Sequence, residues 1–175
     1  MPAVRFCSAC GAELPARPPV TCTRCGTEHY LNPWPCANGI VVRDGRILLG
    51  LRAHAPWYGL WGSPGGFCEP GEHPADTVVR EVREETGVDV EVEEYLGTWV
   101  DVYADDPDTP DAGVINVAYY TAVPTGDETA GPADPVEVSE VAWFGWDELP
   151  EDLAPPGTLA SVLELARSPA RRRPR

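Results

Sequence analysis

The chain has 175 residues, 43% of them hydrophobic and 23% charged, which is an ordinary composition for a globular protein with one main core. No apolar run approaches the roughly 18 to 20 residues that cross a bilayer, and no secretory signal is recognisable, so we expect a cytoplasmic protein with no membrane partner. The 28 acidic residues outnumber 13 basic ones, all of them Arg, which excludes lysine chemistry such as Schiff bases and disfavours binding of long DNA or RNA.

Two cysteine pairs of equal spacing, Cys7 with Cys10 and Cys22 with Cys25, lie near the start of the chain. Each pair is followed by Gly, so two thiolates can converge on one tetrahedral ion, and four sulfurs close the coordination shell of Zn2+. The pattern predicts a structural zinc ribbon that, with an extended linker, occupies residues 1–35. A rubredoxin-like iron site or a pair of disulfides are the alternatives, and a reducing compartment disfavours disulfides.

From residue 36 onward, the sequence predicts an α+β fold. Apolar runs on both sides of Asp44 and Gly45 predict a β-hairpin, because Asp-Gly favours the tight turn. Arg52, at the end of the second strand, is a candidate phosphate contact, with a solvent-facing Arg as the alternative.

A loop rich in Gly, Pro and Trp follows the hairpin. Its aromatic residues Trp57, Tyr58 and Trp61 are candidates for stacking on a base of the substrate. Loop aromatics also close the edges of cores, and that alternative stays open for all three.

A helix is predicted over residues 74–86, because Pro stands in its first turn and Gly87 follows its end. On such a helix Glu81 and Glu85 lie one above the other, with Glu84 beside them. Three carboxylates on one face repel one another unless solvent or a counter-charge offsets them. A hard cation that prefers oxygen ligands, Mg2+ or Mn2+, would neutralise the cluster, whereas the alternative is a solvated helix face.

Three strand-like runs rich in Val, Tyr and Trp come next, at residues 88–103, 113–123 and 136–146. Residues 157–168 predict a short amphipathic helix. The basic end, residues 169–175, is expected to be a disordered tail, with a polyanion contact as the alternative.

The stretch GGFCEPGEHPADTVVREVREETGV, residues 65–88, resembles the Nudix box at every defined position, including Gly66, Glu72 and the REVREETGV run. The resemblance implies a Nudix-type α/β/α sandwich with a mixed β-sheet over residues 36–168. It also implies an enzyme, a metal-dependent pyrophosphohydrolase that acts on a nucleoside diphosphate linked to another group and usually requires Mg2+.

The resemblance also implies roles for individual residues. Glu81, Glu84 and Glu85 would hold Mg2+, and the proton acceptor would be Glu81, Glu84 or a residue from a facing loop. For that loop residue Glu137 is the first candidate and Glu140 the second, while a surface position is the alternative. Arg80 is expected to clamp Glu72 and loop carbonyls, and Gly66 is a candidate substrate-binding position at a backbone turn that a side chain would obstruct.

The expected substrate follows from the wider context of the box. A four-Cys ribbon joined to a Nudix domain is similar to the NADH pyrophosphatase group. That group carries a Ser-Gln-Pro-Trp-type motif where this chain has GTWVDVYADDPDTP. ADP-ribose or another nucleotide sugar is therefore at least as good an expectation, with NADH, FAD and dinucleoside polyphosphates behind it. A nucleotide sensor or adaptor without turnover is the alternative function, and analogy with other Nudix enzymes suggests a homodimer.

Overall fold

A computed structural model describes residues 4–106, 113–127 and 129–168. The predicted tail, residues 169–175, therefore lies outside the described residues. The helices are α1 (Pro74–Thr86) and α2 (Thr158–Arg167). The strands are β1 (Val20–Thr21), β2 (Glu28–His29), β3 (Trp34–Arg43), β4 (Arg46–Arg52), β5 (Trp61–Gly62), β6 (Gly65–Phe67), β7 (Val90–Tyr103), β8 (Gly113–Pro124), β9 (Val138–Gly145) and β10 (Leu153–Ala154).

A mixed sheet of eight strands forms the body of the molecule. Its main path runs β10-β5-β4-β3-β8-β7, and β6 and β9 pair with β3 and β4. The central pair, β3 and β8, is parallel, with Cys36 opposite Val117 and Asn38 opposite Tyr119. Because parallel pairing needs a long crossover, this contact brings together residues about eighty positions apart in sequence.

The predicted hairpin is confirmed and joins β3 to β4. Asp44 and Gly45 both have positive φ, 51° and 74°, as a two-residue hairpin turn of this kind requires. Trp34 and Pro35, expected at the end of the linker, already pair with β8. Two short strands, β5 and β6, occupy the stretch expected to be a loop, since pairing with β4 and β3 outweighs their Gly-rich composition.

The two helices cover opposite faces of the sheet, which confirms the α/β/α sandwich. Val78 and Val82 of α1 are fully buried against one face, in a cluster with Val41 of β3. Leu159 and Leu163 of α2 pack against the other face. Within the described chain, neither helix is long and apolar enough to cross a membrane.

Helix α1 has the predicted bounds and a cap at each end. The Nδ1 atom of His73 accepts a hydrogen bond from the Ala75 N–H at 3.2 Å. At the other end Gly87 adopts a left-handed conformation, φ 71°, and its N–H donates to the Arg83 carbonyl. These caps satisfy backbone groups that a helix end leaves unpaired, and they fix the phase at which α1 presents its Glu residues.

Candidate active site and cysteine cluster

Arg80 links the loop before α1 to the helix itself. Its Nε and Nη2 donate to the two oxygens of Glu72 at 2.9 and 3.0 Å, and Nη2 also reaches the Phe67 carbonyl at 3.1 Å. Its Nη1 donates to Glu81 at 2.8 Å and to Glu84 at 3.0 Å. The clamp expected between Arg80 and Glu72 is present, and the same guanidinium also orients two Glu residues of α1.

Three carboxylates meet at one point beside this clamp. Oxygens of Glu81, Glu85 and Glu137 all lie within 4.8 Å of one another. The first two lie on successive turns of α1, and Glu137 immediately precedes β9. The Glu137 carbonyl accepts from the Ala53 N–H at 2.8 Å, which ties this position to the end of β4. The topology thus adds a third carboxylate to the helix pair.

Burial and mutual repulsion set the electrostatics of this group. Glu81 and Glu85 are each only 8% exposed. Burial, reinforced by the charge of Glu81, raises the pKa of Glu85 to about 8. Burial also raises the pKa of Glu81, although its bond from Arg80 opposes the shift. A cation would relieve both effects, because the carboxylates lack enough positive charge nearby to stay ionised at low cost.

Two glycines allow the loop to approach these carboxylates. The Gly65 N–H donates to Glu85 at 3.1 Å, and its φ of 154° lies in a region that side chains disfavour. A Cβ atom at Gly66 would lie 2.6 Å from the Cδ of Glu81. Gly66 thus leaves room for the Glu81 carboxylate, and its substrate contact stays a prediction.

The structure places Glu84 apart from the three clustered carboxylates. Its side chain is 57% exposed and is held by Arg80 on the solvent side of the clamp. Glu84 does not belong to the group of carboxylates whose oxygens lie within 4.8 Å of one another. Its part in metal binding stays a prediction. Glu140 is exposed on β9 and does not line the cavity described next.

A cavity of about 460 Å3 opens beside the carboxylates. Its floor consists of the buried residues Cys36, Ile115, Val117 and Tyr119, from the central strands β3 and β8. Its rim consists of the aromatic residues Trp57, Phe67 and Tyr103. The rim rings contact one another edge to face, with Tyr103 5.5 Å from Trp57 and 5.4 Å from Phe67. The volume suits a small-molecule ligand, and the lining combines apolar surface with a few charged groups.

Arg52 brings positive charge to this cavity. Its Nε donates to the Pro56 carbonyl at 2.9 Å, and its guanidinium lies 5.5 Å from the Trp57 ring centroid. Its Nη2 is buried and has no hydrogen-bond partner among the described residues. The guanidinium thus has a donor to spare, as the predicted phosphate contact requires.

The three aromatic candidates for stacking occupy different places. Trp57 lines the cavity. Tyr58 is 73% exposed and lies outside the cavity lining. Trp61 packs against Phe144, with centroids 4.8 Å apart, and closes an edge of the core. The structure therefore brings only Trp57 of the three to the site.

Sequence reasoning missed the floor of the cavity and most of its rim. Phe67 had a usable signal, because it follows the Gly pair of the box directly. Tyr103 and Tyr119 look like ordinary strand residues, and only the register of β7 and β8 against β3 shows which face they occupy.

The four cysteines of the expected ribbon form a second cluster. Their sulfurs lie within 4.8 Å of one another, with Cys7 to Cys25 at 3.6 Å and Cys10 to Cys22 at 3.7 Å. Zinc–sulfur bonds of about 2.3 Å in a tetrahedron place sulfurs about 3.8 Å apart, so these thiols fit one zinc ion. His29 adds a contact from its Nε2 to the Cys7 sulfur at 3.3 Å.

Comparison with known proteins agrees with this architecture. The NUDIX domain profile matches residues 34–163, most of the chain. This chain belongs to the Nudix family. The ADP-ribose pyrophosphatase of Methanocaldococcus jannaschii is 35% identical over 122 residues, covering 70% of this chain and 68% of that protein. The crystal structure of a NUDIX hydrolase from Nitrosomonas europaea superposes with a TM-score of 0.73 at 28% identity, covering 93% of this chain and 88% of the other.

A second group of Nudix relatives carries another name. The NAD-capped RNA hydrolase NudC of Stutzerimonas stutzeri is 30% identical over 153 residues, 83% of this chain. This chain spans about half the length of that relative, 50%. The names of both groups confirm the predicted class, a Nudix pyrophosphohydrolase.

Proposed function

We propose that this Nudix protein hydrolyses the pyrophosphate bond of a nucleoside diphosphate linked to another group, and that the reaction depends on Mg2+ or Mn2+. The observation that carries the proposal is the meeting of Glu81, Glu85 and Glu137 at the edge of a cavity that is also lined by Arg52, whose Nη2 has no partner within the described part of the chain. Clustered carboxylates suit a divalent cation, and an Arg donor suits phosphate oxygens.

The donor set fits Mg2+ or Mn2+ by its chemistry. All three groups offer carboxylate oxygens, the ligands that hard cations prefer. Glu81 and Glu85 would hold the cation from the buried side, and Glu137 faces them from the exposed side. Glu84 is kept as a further ligand on the solvent side, where Arg80 holds it. A cation bound by these carboxylates would neutralise phosphate charge and activate water.

The chain's own residues account for the remaining steps. Arg52 binds a phosphate oxygen and orients the pyrophosphate, while Arg80 keeps Glu81 in position. Glu137 takes the proton from water, because it is the exposed member of the three and is not fixed by the clamp. Water oxygen then bonds to phosphorus as the phosphoanhydride bond breaks. The products are a nucleoside monophosphate and the phosphate of the other group.

ADP-ribose is the first substrate to test, because a relative named for that activity is 35% identical. NAD-type substrates come second on the name of the NudC relatives, together with NAD-capped RNA. The acidic balance of the chain, 28 acidic against 13 basic residues, still favours a small nucleotide over a long nucleic acid.

The test is a panel of ADP-ribose, NADH, NAD-capped RNA, FAD, nucleotide sugars, dinucleoside polyphosphates and nucleoside triphosphates, each incubated with Mg2+ and with Mn2+. Chromatography of the products identifies the bond cleaved. We expect one class of nucleoside diphosphate derivative to be cleaved, and a chelator to abolish the reaction.

Variants connect that activity to the site. Glu85→Gln and Glu137→Gln should each lower kcat about 100-fold or more, because each removes a charge from the site without changing side-chain volume. Glu140→Gln, three residues after Glu137 on β9 but outside the cavity, is the matched control. Turnover within a few-fold of wild type in both cavity variants would contradict the proposal. Tight nucleotide binding with no cleavage of any compound would instead indicate the sensor function.

A further inference from the structure

The cavity floor contains a hydroxyl that the proposed chemistry does not use. Tyr119 lies at the middle of β8, opposite Asn38 of β3 and Gly97 of β7. Its side chain is 0% exposed and lines the cavity. Its hydroxyl has no hydrogen-bond partner among the described protein groups. Buried hydroxyls are rarely left in this state, so this group has a hydrogen bond to offer to a ligand atom that enters the cavity.

The surroundings of this hydroxyl keep it protonated. Burial, together with the nearby Asp101 and Cys36, raises the pKa of Tyr119, so the phenol stays neutral and can donate. Asp101 is in register with Ile115, and Cys36 with Val117. Tyr119 lies on the same face of β8 as Ile115 and Val117, which form part of the floor, because side chains alternate along a strand.

The remaining floor restricts the chemistry of the group that it receives. Ile115 and Val117 offer apolar surface, and burial raises the pKa of the Cys36 thiol to about 12, which keeps it neutral. A sugar or a phosphate has polar atoms on all sides and would leave several unpaired here. A nucleobase has apolar faces and hydrogen-bonding atoms only at its edge. It is the part of a nucleotide that matches an apolar floor with one hydroxyl.

We propose that the Tyr119 hydroxyl hydrogen-bonds the edge of the substrate's nucleobase and thereby selects among bases. The inference rests on the proposed function, in that it takes the substrate to be a nucleotide with its pyrophosphate at the three carboxylates. Tyr119 touches the base and not the reacting atoms, so it determines specificity and takes no part in bond breaking.

The experiment measures binding without chemistry. Calorimetry in the presence of Mg2+ gives the affinities of AMP, GMP, CMP, UMP and ribose 5-phosphate, none of which has a pyrophosphate bond to cleave. The proteins are the wild type, Tyr119→Phe and the matched control Tyr120→Phe. Tyr120 is the next residue of the same strand, but it packs against Tyr95 at 5.2 Å and lies outside the cavity lining.

We expect one nucleotide to bind wild type more tightly than ribose 5-phosphate does. Tyr119→Phe should weaken that nucleotide about threefold to tenfold, the effect of one neutral hydrogen bond, and leave ribose 5-phosphate unchanged. Tyr120→Phe should change neither affinity. The melting temperature of Tyr119→Phe should equal or exceed that of wild type, because the hydroxyl removed has no protein partner.

Several results would overturn the inference: no base preference in wild type, equal weakening of ribose 5-phosphate, unchanged affinities in Tyr119→Phe, or a lowered melting temperature in that variant. Failure of the proposed function looks different. In that case no compound of the hydrolysis panel is cleaved, while the base-dependent binding and its loss in Tyr119→Phe persist.

Discussion

Arg80 is the residue on which the geometry of the site depends most. It contacts Glu72, Glu81 and Glu84 at once: Nε and Nη2 donate to Glu72, and Nη1 donates to the other two. A Lys could not supply this planar set of donors. The hydrogen bond to Glu72 is the largest of the interactions that raise the pKa of Arg80. The guanidinium therefore stays positively charged.

A pH-dependent prediction follows for Glu72. Hydrogen bonds from Arg80, the Glu69 N–H and the Thr77 hydroxyl lower its pKa from 4.5 to about 2. The unfolded chain therefore binds more protons than the folded chain between these two pH values. The stability contributed by Glu72 is fully present above about pH 4.5 and is lost as the pH falls towards 2.

We expect Glu72→Gln to lower the melting temperature at pH 7, with a difference from wild type that shrinks between pH 4.5 and pH 2. Thermal unfolding followed by circular dichroism across this range measures the effect. Glu69→Gln is the control, since it removes a neighbouring charge but keeps the backbone N–H that bonds Glu72. A difference that is independent of pH would show that the charge of Glu72 is not the cause.

At the scale of elements, α1 carries most of the site, and its ends decide where its side chains point. The predicted bounds are confirmed because the signals are local: Pro in the first turn, His73 before it and Gly87 after it. The Gly87 conformation, φ 71°, is one that an L side chain adopts only with strain.

Gly87→Ala should destabilise the protein by about 1 kcal/mol, which lowers the melting temperature by about 2–4 °C in a chain of this size. The space around Gly87 is open, with only the Ala133 Cβ at 4.0 Å, so the loss would come from backbone strain and not from a clash. Gly131→Ala is the matched control, because nothing lies within 4 Å of an added Cβ there and its φ is not positive. Equal losses in both variants would rule out the left-handed cap as the cause.

The sheet contributes the parts of the site that no single element contains. Glu137 reaches the α1 carboxylates because β9 pairs with β4, whose last residues lie beside the cavity. The floor exists because β8 lies parallel to β3. Both pairings join distant segments, so the helix alone would present two buried carboxylates with neither a third carboxylate nor a ligand cavity.

At the scale of the whole molecule, the cysteine cluster is separate from the active site. Cys7 and Cys22 are 2% and 1% exposed and, with Leu14, form a small core of their own. A cluster of this size buries too little apolar surface to be stable alone, so a structural metal is the expected source of its stability. The binding of zinc by this cluster stays a prediction. The domain boundary between residues 35 and 36 and the formation of a homodimer also stay predictions.

Cys22→Ser should lower both the zinc content and the melting temperature while leaving Mg2+-dependent kcat within a few-fold of wild type. Metal analysis of the purified protein measures zinc directly. Cys68→Ser is the control for zinc content and melting temperature, because Cys68 is only partly buried and lies outside the four-cysteine cluster. Full zinc content in Cys22→Ser, or iron in place of zinc in wild type, would contradict the zinc assignment.

The sequence by itself determined the family, the helix α1, the hairpin at Asp44 and Gly45, and the two cysteine pairs. Each of these depends on spacing within a short segment, where local backbone preferences and the period of the helix act. Tertiary structure decided that Glu137 joins Glu81 and Glu85 while Glu84 turns to solvent. It also placed Tyr119 in the cavity and Trp61 in the core edge, because strand register depends on contacts between distant segments, which no short stretch of sequence contains.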